Sequence, residues 1–237
     1  DIAINPVNGQ VFAVWDQLNS GVRSIFISQL QNGQWLEPIK LSAATTQAIK
    51  PQVSVGSDGW VRVVWEIQDT SRVQYIEWDG SKFSNIEEVP MNQSASGQRD
   101  RNLAASLDHL NRLHLIRRVD NTIQYIFRSN NSWSKPEYVH EVDNEALPVL
   151  SNVHLALDEV GNVNAAWGSS LVDNTPVVRY RRRTNEGWEL PEGVTTSTNG
   201  AATAFPSPTP LPTATTPPLP SGSPSATPFP GYEDLPS

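Results

Sequence analysis

Four copies of a unit of about 50 residues follow one another along the chain, and this repeat constrains the fold more than any other feature. The landmark of each copy is an apolar segment, and the four segments end at Trp15, Trp65, Arg117 and Trp167. The successive intervals are 50, 52 and 50 residues. Such a period is typical of repeat architectures in which each copy is one supersecondary unit.

Each copy carries the signals of two hairpins. Turn residues of the Asn-Gly or Asp-Gly type precede the apolar segments, beginning at Asn8, Asp58, Asp108 and Asp158. A third strand is predicted around Phe26, Tyr75, Tyr125 and Tyr180, and a fourth begins at Trp35, Phe83, Trp133 and Trp188. In three copies a proline follows that last aromatic three residues on, at Pro38, Pro136 and Pro191, which is typical of an outer edge strand. The unit is therefore predicted to be a four-stranded antiparallel meander.

The second strand of each copy is apolar on both faces, as in Val11-Phe12-Ala13-Val14-Trp15. A sheet with two apolar faces needs a neighbour on each side, and radial repetition of four-stranded sheets is the propeller architecture. We therefore predict an all-β fold, a β-propeller-type array of four four-stranded antiparallel blades followed by an extended Pro/Thr/Ser-rich tail. The blades are placed at about residues 1–42, 51–90, 102–142 and 152–194, within a repeat domain spanning 1–194.

The paired turn and aromatic, as in Asn32-Gly33-Gln34-Trp35 and Asn131-Ser132-Trp133-Ser134-Lys135-Pro136, resembles the repeats of sialidase-like and BNR-like propellers of secreted bacterial surface proteins. The resemblance covers about residues 1–194 and implies a propeller. The Asp box of that family, S-x-D-x-G-x-T-W, is not intact in any copy, and the Arg-Ile-Pro motif of the sialidases is absent. The resemblance therefore extends to the repeat architecture and not to the catalytic motifs.

The closure of such an array is left open by the sequence. Four blades are the lowest number that closes a propeller, and small rings often need a latch. The chain has no cysteine and so no disulfide latch, and its four copies begin and end in the same phase. Two arrangements remain: a compact four-bladed ring, or an open array completed by another chain.

Residues 195–237 have a different composition, with 11 Pro, nine Thr and six Ser among 43 residues and no Lys or Arg. A segment so poor in apolar residues is expected to be extended and polyproline-like, and to act as a linker, a strap or a stalk. Ser/Thr-rich sequence with Pro is also typical of O-glycosylated stalks. The candidate O-glycosylation sites are Thr209, Thr213, Thr215, Thr216 and Thr227. Formal N-glycosylation sequons begin at Asn92 and Asn130.

Charge and composition exclude several partners. A net charge of -8 and a pI near 5.0 disfavour nucleic acid and anionic membranes, because both require a basic face. No stretch approaches 18 consecutive apolar residues, so no transmembrane segment is predicted. The sequence opens at Asp1 without an initiator methionine, as expected of a secreted chain after signal-peptide removal or of a fragment. We expect an extracellular or cell-surface location.

Five residues are candidates for ligand contact. Arg117 interrupts the column of tryptophans, and Arg62 and His114 interrupt the facing column, so that a pocket there is conceivable. Trp60 and Trp78 fall outside the two columns of recurring tryptophans, whose regular spacing indicates packing between blades. Trp60 and Trp78 are therefore the better candidates for an exposed contact.

Catalytic and metal chemistry has weaker support. Glu66 with Asp69, or Asp100 beside Arg99 and Arg101, would serve a glycosidase only at a suitable separation, and ordinary surface ion pairs are the simpler interpretation. The four histidines lack metal-ligand spacing, and Asp158, Glu159 and Asn162 lack the ligand order of a calcium loop. No catalytic residue, cofactor or metal is predicted, since nucleotide-binding and nucleophile-elbow motifs are absent.

These observations lead to an expected function. We expect a non-enzymatic extracellular structural or adhesive propeller subunit that self-assembles into a surface or filamentous assembly, its partners being other copies of itself. The alternative is a carbohydrate-binding module or degenerate sialidase-like glycosidase, with glycans as partners. The alternative requires a pocket that collects Arg, carboxylate and aromatic side chains from several blades.

Overall fold

The computed structural model describes residues 1–68, 70, 72–92, 102–120, 122–140, 149–170, 176–189 and 192–194. Over these ranges the chain forms nineteen β-strands and no helix, which confirms the all-β prediction. Within the same ranges no helix exists that could cross a membrane. The predicted tail at 195–237 lies outside the described residues, as do its five candidate threonines.

The strands form four antiparallel sheets, one for each sequence repeat. The first sheet contains β1 (Ile2–Ile4), β2 (Val11–Asn19), β3 (Val22–Gln31), β4 (Gln34–Trp35) and β5 (Ile39–Lys40). The second contains β6 (Ala48–Val55), β7 (Val61–Ile67), β8 (Val73–Trp78) and β9 (Glu87–Glu88). The third contains β10 (Asn102–Leu107), β11 (Leu113–Val119), β12 (Thr122–Ser129), β13 (Ser132–Trp133) and β14 (Glu137–His140). The fourth contains β15 (Val149–Leu157), β16 (Val163–Ser170), β17 (Pro176–Thr184), β18 (Gly187–Trp188) and β19 (Glu192–Val194).

Each sheet is the predicted four-stranded meander, and in the first, third and fourth sheets its outermost strand is divided into two short pieces. In the second sheet that position holds β9 and an isolated bridge between Trp78 and Phe83. In the first sheet β4 and β5 both pair with β3, and in the third sheet β13 and β14 both pair with β12. Pro38 and Pro136 lie in the gaps between these pieces. Because proline has no N–H to donate to the ladder, it interrupts pairing and is tolerated at this outer edge.

The two ends of the array are built differently. The turns that join the first and second strands form one end, which we call the turn end, and in three sheets an Asp begins the turn: Asp58, Asp108 and Asp158. Each of these carboxylates accepts a hydrogen bond from the backbone N–H two residues further on, which fixes the turn. The opposite end, which we call the loop end, carries the hairpins between second and third strands and the connections between sheets.

The sheets stack in chain order, and three apolar cores lie in the seams between them. The core of the first seam includes Phe12 and Trp65, that of the second seam Val64 and Leu115, and that of the third seam Ile116 and Trp167. Each fully buried aliphatic or aromatic side chain of this kind stabilises the fold by about 1.5–3 kcal/mol. Among the described residues, extensive packing joins first to second, second to third and third to fourth sheets, and none of that extent joins fourth to first. The described chain is therefore an open array, not the compact ring.

The third strands lie where the sequence predicts them, around Phe26, Tyr75, Tyr125 and Tyr180, but Phe26 is not the structural equivalent of the three tyrosines. Tyr75, Tyr125 and Tyr180 pair with Val64, Ile116 and Ala166, the residues before the column of Trp65, Arg117 and Trp167. The equivalent pair in the first sheet is Val14 with Ile27, whereas Phe26 pairs with Trp15 on the other face. A shift of one residue moves a side chain to the opposite face, so Phe26 points away from the second sheet.

Candidate functional site

Six acidic or basic side chains are buried in the described part of the chain, and their positions separate structural from candidate functional groups. They are Arg62, Glu66, Asp108, His114, Arg117 and Arg128. Four of them lie toward the turn end, where the contacts described below explain their burial. Glu66 and Arg117 lie toward the loop end and are 1% and 2% exposed. These two are the starting point for a functional site.

Three of the turn-end groups, Arg62, Asp108 and His114, belong to the Asp turns. Arg62 donates to the carboxylate of Asp58 at 2.6 Å. Asp108 accepts from the Arg112 side chain at 2.5 Å and lies 3.2 Å from Nε2 of His114, whose Nδ1 is 2.7 Å from the hydroxyl of Tyr125. Burial opposes ionisation of Asp108, but the hydrogen bonds from Arg112 outweigh it, so the pKa of Asp108 is below its ordinary value. These contacts hold the turns against the sheets.

The fourth turn-end group, Arg128, belongs to a contact that is repeated in two seams. Arg128 donates to Glu87 of the preceding sheet at 2.9 Å and lies over the ring of Tyr75 at 4.8 Å. In the next seam Arg183 donates to Glu137 at 2.7 Å and lies over Tyr125 at 5.4 Å. The hydrogen bond with Glu137 raises the pKa of Arg183. We call each Arg, Glu and Tyr set a seam clamp, and its repetition indicates a structural role.

Glu66 and Arg117 lie on the two sheet faces that meet in the seam between the second and third sheets. Glu66 follows Val64 by two residues on β7, and Arg117 follows Leu115 by two on β11, so each shares a face with a residue of the core in this seam. Both lie in the half of their strand that leads to the loop end. A carboxylate and a guanidinium are thereby buried in one seam at one end of the array.

Three polar side chains adjoin Arg117: Asn92 and Tyr138, which are exposed, and Gln124, which is 2% exposed. Nη2 of Arg117 donates to the carbonyl of Asn92 at 2.7 Å, and the Asn92 N–H donates to Oε1 of Gln124 at 3.1 Å. The side-chain amide of exposed Asn92 donates to the hydroxyl of Tyr138 at 3.0 Å, and Tyr138 is 43% exposed. We call Glu66, Asn92, Arg117, Gln124 and Tyr138 the central-seam site.

Other charged residues of the loop end form more exposed ion pairs. Arg23 pairs with Asp16 at 2.5 Å, and Arg72 pairs with Glu88 at 3.0 Å. The arginine side chains are 43% and 34% exposed, so these pairs contribute little to stability. These contacts are ordinary surface ion pairs. The surface pairing expected of Glu66 is wrong, since Glu66 is 1% exposed and is the deeply buried carboxylate of the described loop end.

The structure separates the five predicted contact residues. Arg117 joins the central-seam site. Arg62 and His114 are buried in the turn-end contacts, and Trp60 is half-buried, with the Arg62 guanidinium 5.8 Å from its ring centre. The expectation that Trp78 is exposed is wrong, since it is 2% exposed and packs edge-on against Phe12 in the first seam. Its register explains this, because Trp78 pairs with Val61 on the face turned to the first sheet.

Of the remaining candidates, the structure describes only some. Asn92 is exposed, and its amide contacts Tyr138; Asn130 is exposed in a turn with a positive φ of 49°. Asp69, Arg99, Asp100 and Arg101 lie outside the described residues. The carboxylate of Asp158 accepts from Asn162 and Arg182, and the hydrogen bond from Asn162 lowers the pKa of Asp158 to about 2. No group of His, Asp and Glu side chains in the described ranges is arranged to hold a metal ion.

Sequence reasoning missed three members of the site. Asn92, Gln124 and Tyr138 come from a connection and two strands. The sequence singles out Asn92 only as the start of a sequon, and no motif marks Gln124 or Tyr138. The register pairs Gln124 with Tyr138, which places both side chains on the face that Arg117 shares. Only sheet pairing brings them together.

No protein-family model matches the sequence, and no curated protein matches it. The catalytic domain of a GH62 α-L-arabinofuranosidase from Coprinopsis cinerea is 13% identical with a TM-score of 0.45, and the match covers 80% of this chain and 65% of that one. The polysaccharide lyase Uly1 is 9% identical with a TM-score of 0.49, covering 77% and 57%. The Hadza microbial sialidase Hz136 is 9% identical with a TM-score of 0.43, covering 81% and 44%. This chain thus spans less than two thirds of each protein's length.

These matches correct the expected function. The proteins matched are described as glycosidases and a polysaccharide lyase, so the expectation of a non-enzymatic structural or adhesive subunit is wrong, and the carbohydrate alternative fits better. The error came from treating the missing sialidase motifs as evidence against any enzyme, although one fold carries many different sites. The matches are consistent with a sialidase-like propeller, while the narrower resemblance to bacterial surface repeats stays a prediction.

Proposed function

We propose that this protein binds and processes carbohydrate at the central-seam site. The observation that carries the proposal is that two charged side chains, Glu66 and Arg117, are almost fully buried in one seam at the loop end, next to the exposed Asn92 and Tyr138. The other four buried acidic or basic groups lie at the turn end, in the Asp turns and a seam clamp.

The side chains of this site suit a sugar. The exposed amide of Asn92 both donates and accepts hydrogen bonds, as ring hydroxyls require. Gln124 and the Arg117 guanidinium are 2% exposed and hold the Asn92 backbone in place from beneath. Tyr138 presents an exposed aromatic face with a polar hydroxyl beside it. A few oriented polar groups around an apolar wall are typical of small-molecule sites.

Glu66 is the residue we assign to chemistry. Hydrolysis of a glycosidic bond commonly uses two carboxyl groups, one of which transfers a proton to the leaving oxygen. Glu66 supplies one carboxyl group in a setting shielded from water, with the guanidinium of Arg117 buried in the same seam. Asp69, its partner in the sequence-based hypothesis, lies outside the described residues, so the assignment here is confined to Glu66.

The binding step is tested by a glycan microarray followed by calorimetry on the glycans that bind. We expect Tyr138→Ala to weaken binding about fivefold or more, because a stacking surface worth about 1 kcal/mol is lost. Glu159→Gln serves as the matched control, since Glu159 is exposed at the turn end and should leave binding unchanged. Absence of any bound glycan, or equal effects of the two variants, would refute the proposal.

The catalytic step is tested with aryl glycosides, including α-L-arabinofuranosides and sialosides. Glu66→Gln keeps the shape of the side chain and removes its ability to transfer a proton. We expect turnover to fall by about 100-fold or more with binding retained, and the thermal midpoint distinguishes this effect from unfolding. Equal turnover by Glu66→Gln and Glu159→Gln would show that Glu66 does not carry out the catalytic step.

A further inference from the structure

The two outermost sheet faces of the array differ in type: one presents a tryptophan, and the other is of the type that receives one. The outer face of the first sheet is apolar and uncovered by any described residue: Ile2, Ile4 and Trp35 are 60%, 65% and 50% exposed. Trp15 and Phe26 stack on the same face with ring centres 6.0 Å apart. A contiguous exposed apolar surface of this kind marks an interaction site. We call it the leading face.

The leading face corresponds, residue for residue, to faces that are covered in the other sheets. Trp35 pairs with Leu30 on the third strand, just as Trp133 pairs with Arg128 and Trp188 with Arg183. Trp133 packs edge-on against Tyr75 of the preceding sheet, with ring centres 5.5 Å apart. Trp188 packs in the same way against Tyr125, at 5.4 Å. Trp35 occupies the same structural position, but in the described chain no sheet precedes it.

The outer face of the fourth sheet is the counterpart of the surfaces that receive these tryptophans. Tyr180 pairs with Ala166 in the register in which Tyr75 pairs with Val64 and Tyr125 with Ile116. Ala156 and Val178 are exposed on the same face, Val178 to 49%. The register also places the polar side chains of His154, Asn164 and Arg182 on it, and the Tyr180 hydroxyl donates to Oδ1 of Asn164. We call this the trailing face. It offers a receiving tyrosine to which no described residue supplies a tryptophan.

We propose that a second copy of this chain docks head to tail, its leading face on the trailing face, with Trp35 of one copy packed against Tyr180 of the other. The contact continues the geometry of the seams within each copy, where every leading-type face lies on a trailing-type face. Two copies joined in this way present eight sheets, which is within the usual range of propellers, and a closed pair would leave no outer face. The inference is independent of the proposed carbohydrate site.

The chemistry of the contact differs from the internal seams in one respect. Leu30 occupies the position of the clamp arginines Arg128 and Arg183, so the docked seam would lack their ion pair with the preceding sheet. It would resemble the apolar first seam, where Trp78 occupies that position. Because apolar burial responds little to salt screening, we expect association to persist at high ionic strength.

The mass of the full 237-residue chain in solution tests the proposal, by light scattering over a concentration series. We expect two or more copies for the wild type, and at least a tenfold weaker association for Trp35→Glu and for Val178→Glu. Leu110→Glu is the control, since Leu110 is 60% exposed in a turn outside both faces. Ile4→Glu and Ala156→Glu replace either variant that fails to fold. A wild-type monomer at every concentration would overturn the proposal, including the case in which residues 195–237 cover a face.

A mixing experiment distinguishes head-to-tail docking from other dimers. Trp35→Glu retains its trailing face and Val178→Glu retains its leading face, so each should be monomeric by itself and the equimolar mixture should form a dimer of one copy of each. A symmetric interface that uses one face twice would not be restored by mixing. Homodimers of either variant, or a mixture that stays monomeric while the wild type associates, would overturn the proposal.

Discussion

At the scale of single residues, His114 shows how burying a neutral imidazole makes the free energy of unfolding depend on pH. Its ring lies between Asp108 and Tyr125, with Arg112, Arg183 and Glu137 as the other charged groups of this region. Burial lowers the pKa of His114, and the nearby Asp108 carboxylate only partly opposes this. The folded protein therefore holds a neutral imidazole where the unfolded chain would bind a proton.

The first prediction follows from this shift. Because the unfolded state binds more protons as pH falls below about 6.5, the free energy of unfolding should decrease between pH of about 7 and about 5. The measurement is urea unfolding across that range. His114→Gln should flatten the dependence, whereas His154→Gln, on an exposed residue, should not. An unchanged slope in His114→Gln would contradict the interpretation.

At the scale of elements, the seam clamps hold one sheet to the next. Arg128 is 6% exposed, bonds to Glu87 and lies over the rings of Tyr75 and Trp133. Burial raises the pKa of Tyr75, so its hydroxyl stays protonated and its ring stays neutral beneath the guanidinium. A charge held in this way combines an ion pair with cation–π contacts between two sheets.

The second prediction concerns the loss of a clamp. Arg128→Ala leaves the carboxylates of Glu77 and Glu87 without the buried guanidinium, and should cost about 2–4 kcal/mol of unfolding free energy. Arg23→Ala removes an arginine that is 43% exposed and should cost less than about 1 kcal/mol. Urea unfolding of both variants gives the comparison. Equal losses of unfolding free energy in the two variants would show that the clamp stabilises the fold no more than an exposed ion pair does.

At the scale of the whole molecule, the inner sheets of an open array are better protected from local unfolding than the terminal sheets. All residues of β7 are buried, whereas in β2 of the first sheet the last three residues are exposed. Each sheet contacts only its neighbours, so a terminal sheet can open at the expense of one seam and an inner sheet only at the expense of two.

The third prediction is therefore a gradient of hydrogen exchange, measured by mass spectrometry at low protein concentration. Amides of β7 and β11 should exchange most slowly, and those of β2 and β16 faster. Rising concentration should slow the exchange of β2 if the leading face becomes covered. Uniform protection of all four sheets at the lowest concentration would instead indicate a ring closed within one chain.

Much of the fold is readable from the repeat. The period near 50 residues, the Asp and Asn turns and the aromatic positions are local signals, so the four meanders and their outer prolines follow from turn chemistry and strand alternation. The face on which Phe26 lies could not be read from the sequence, because a one-residue shift in pairing leaves the local pattern almost unchanged while reversing the face.

The sequence by itself determined the strands, the turns and the two-faced apolar pattern of the sheets, because these depend on neighbours a few residues away. Only the tertiary structure decided that Trp78 is buried, that Arg62 and His114 belong to the turn end, and that Glu66 and Arg117 are buried in one seam. It also decided that the fourth sheet does not close onto the first within the described chain. These facts depend on which sheet faces meet, and such contacts join residues that lie about 50 positions apart in the chain.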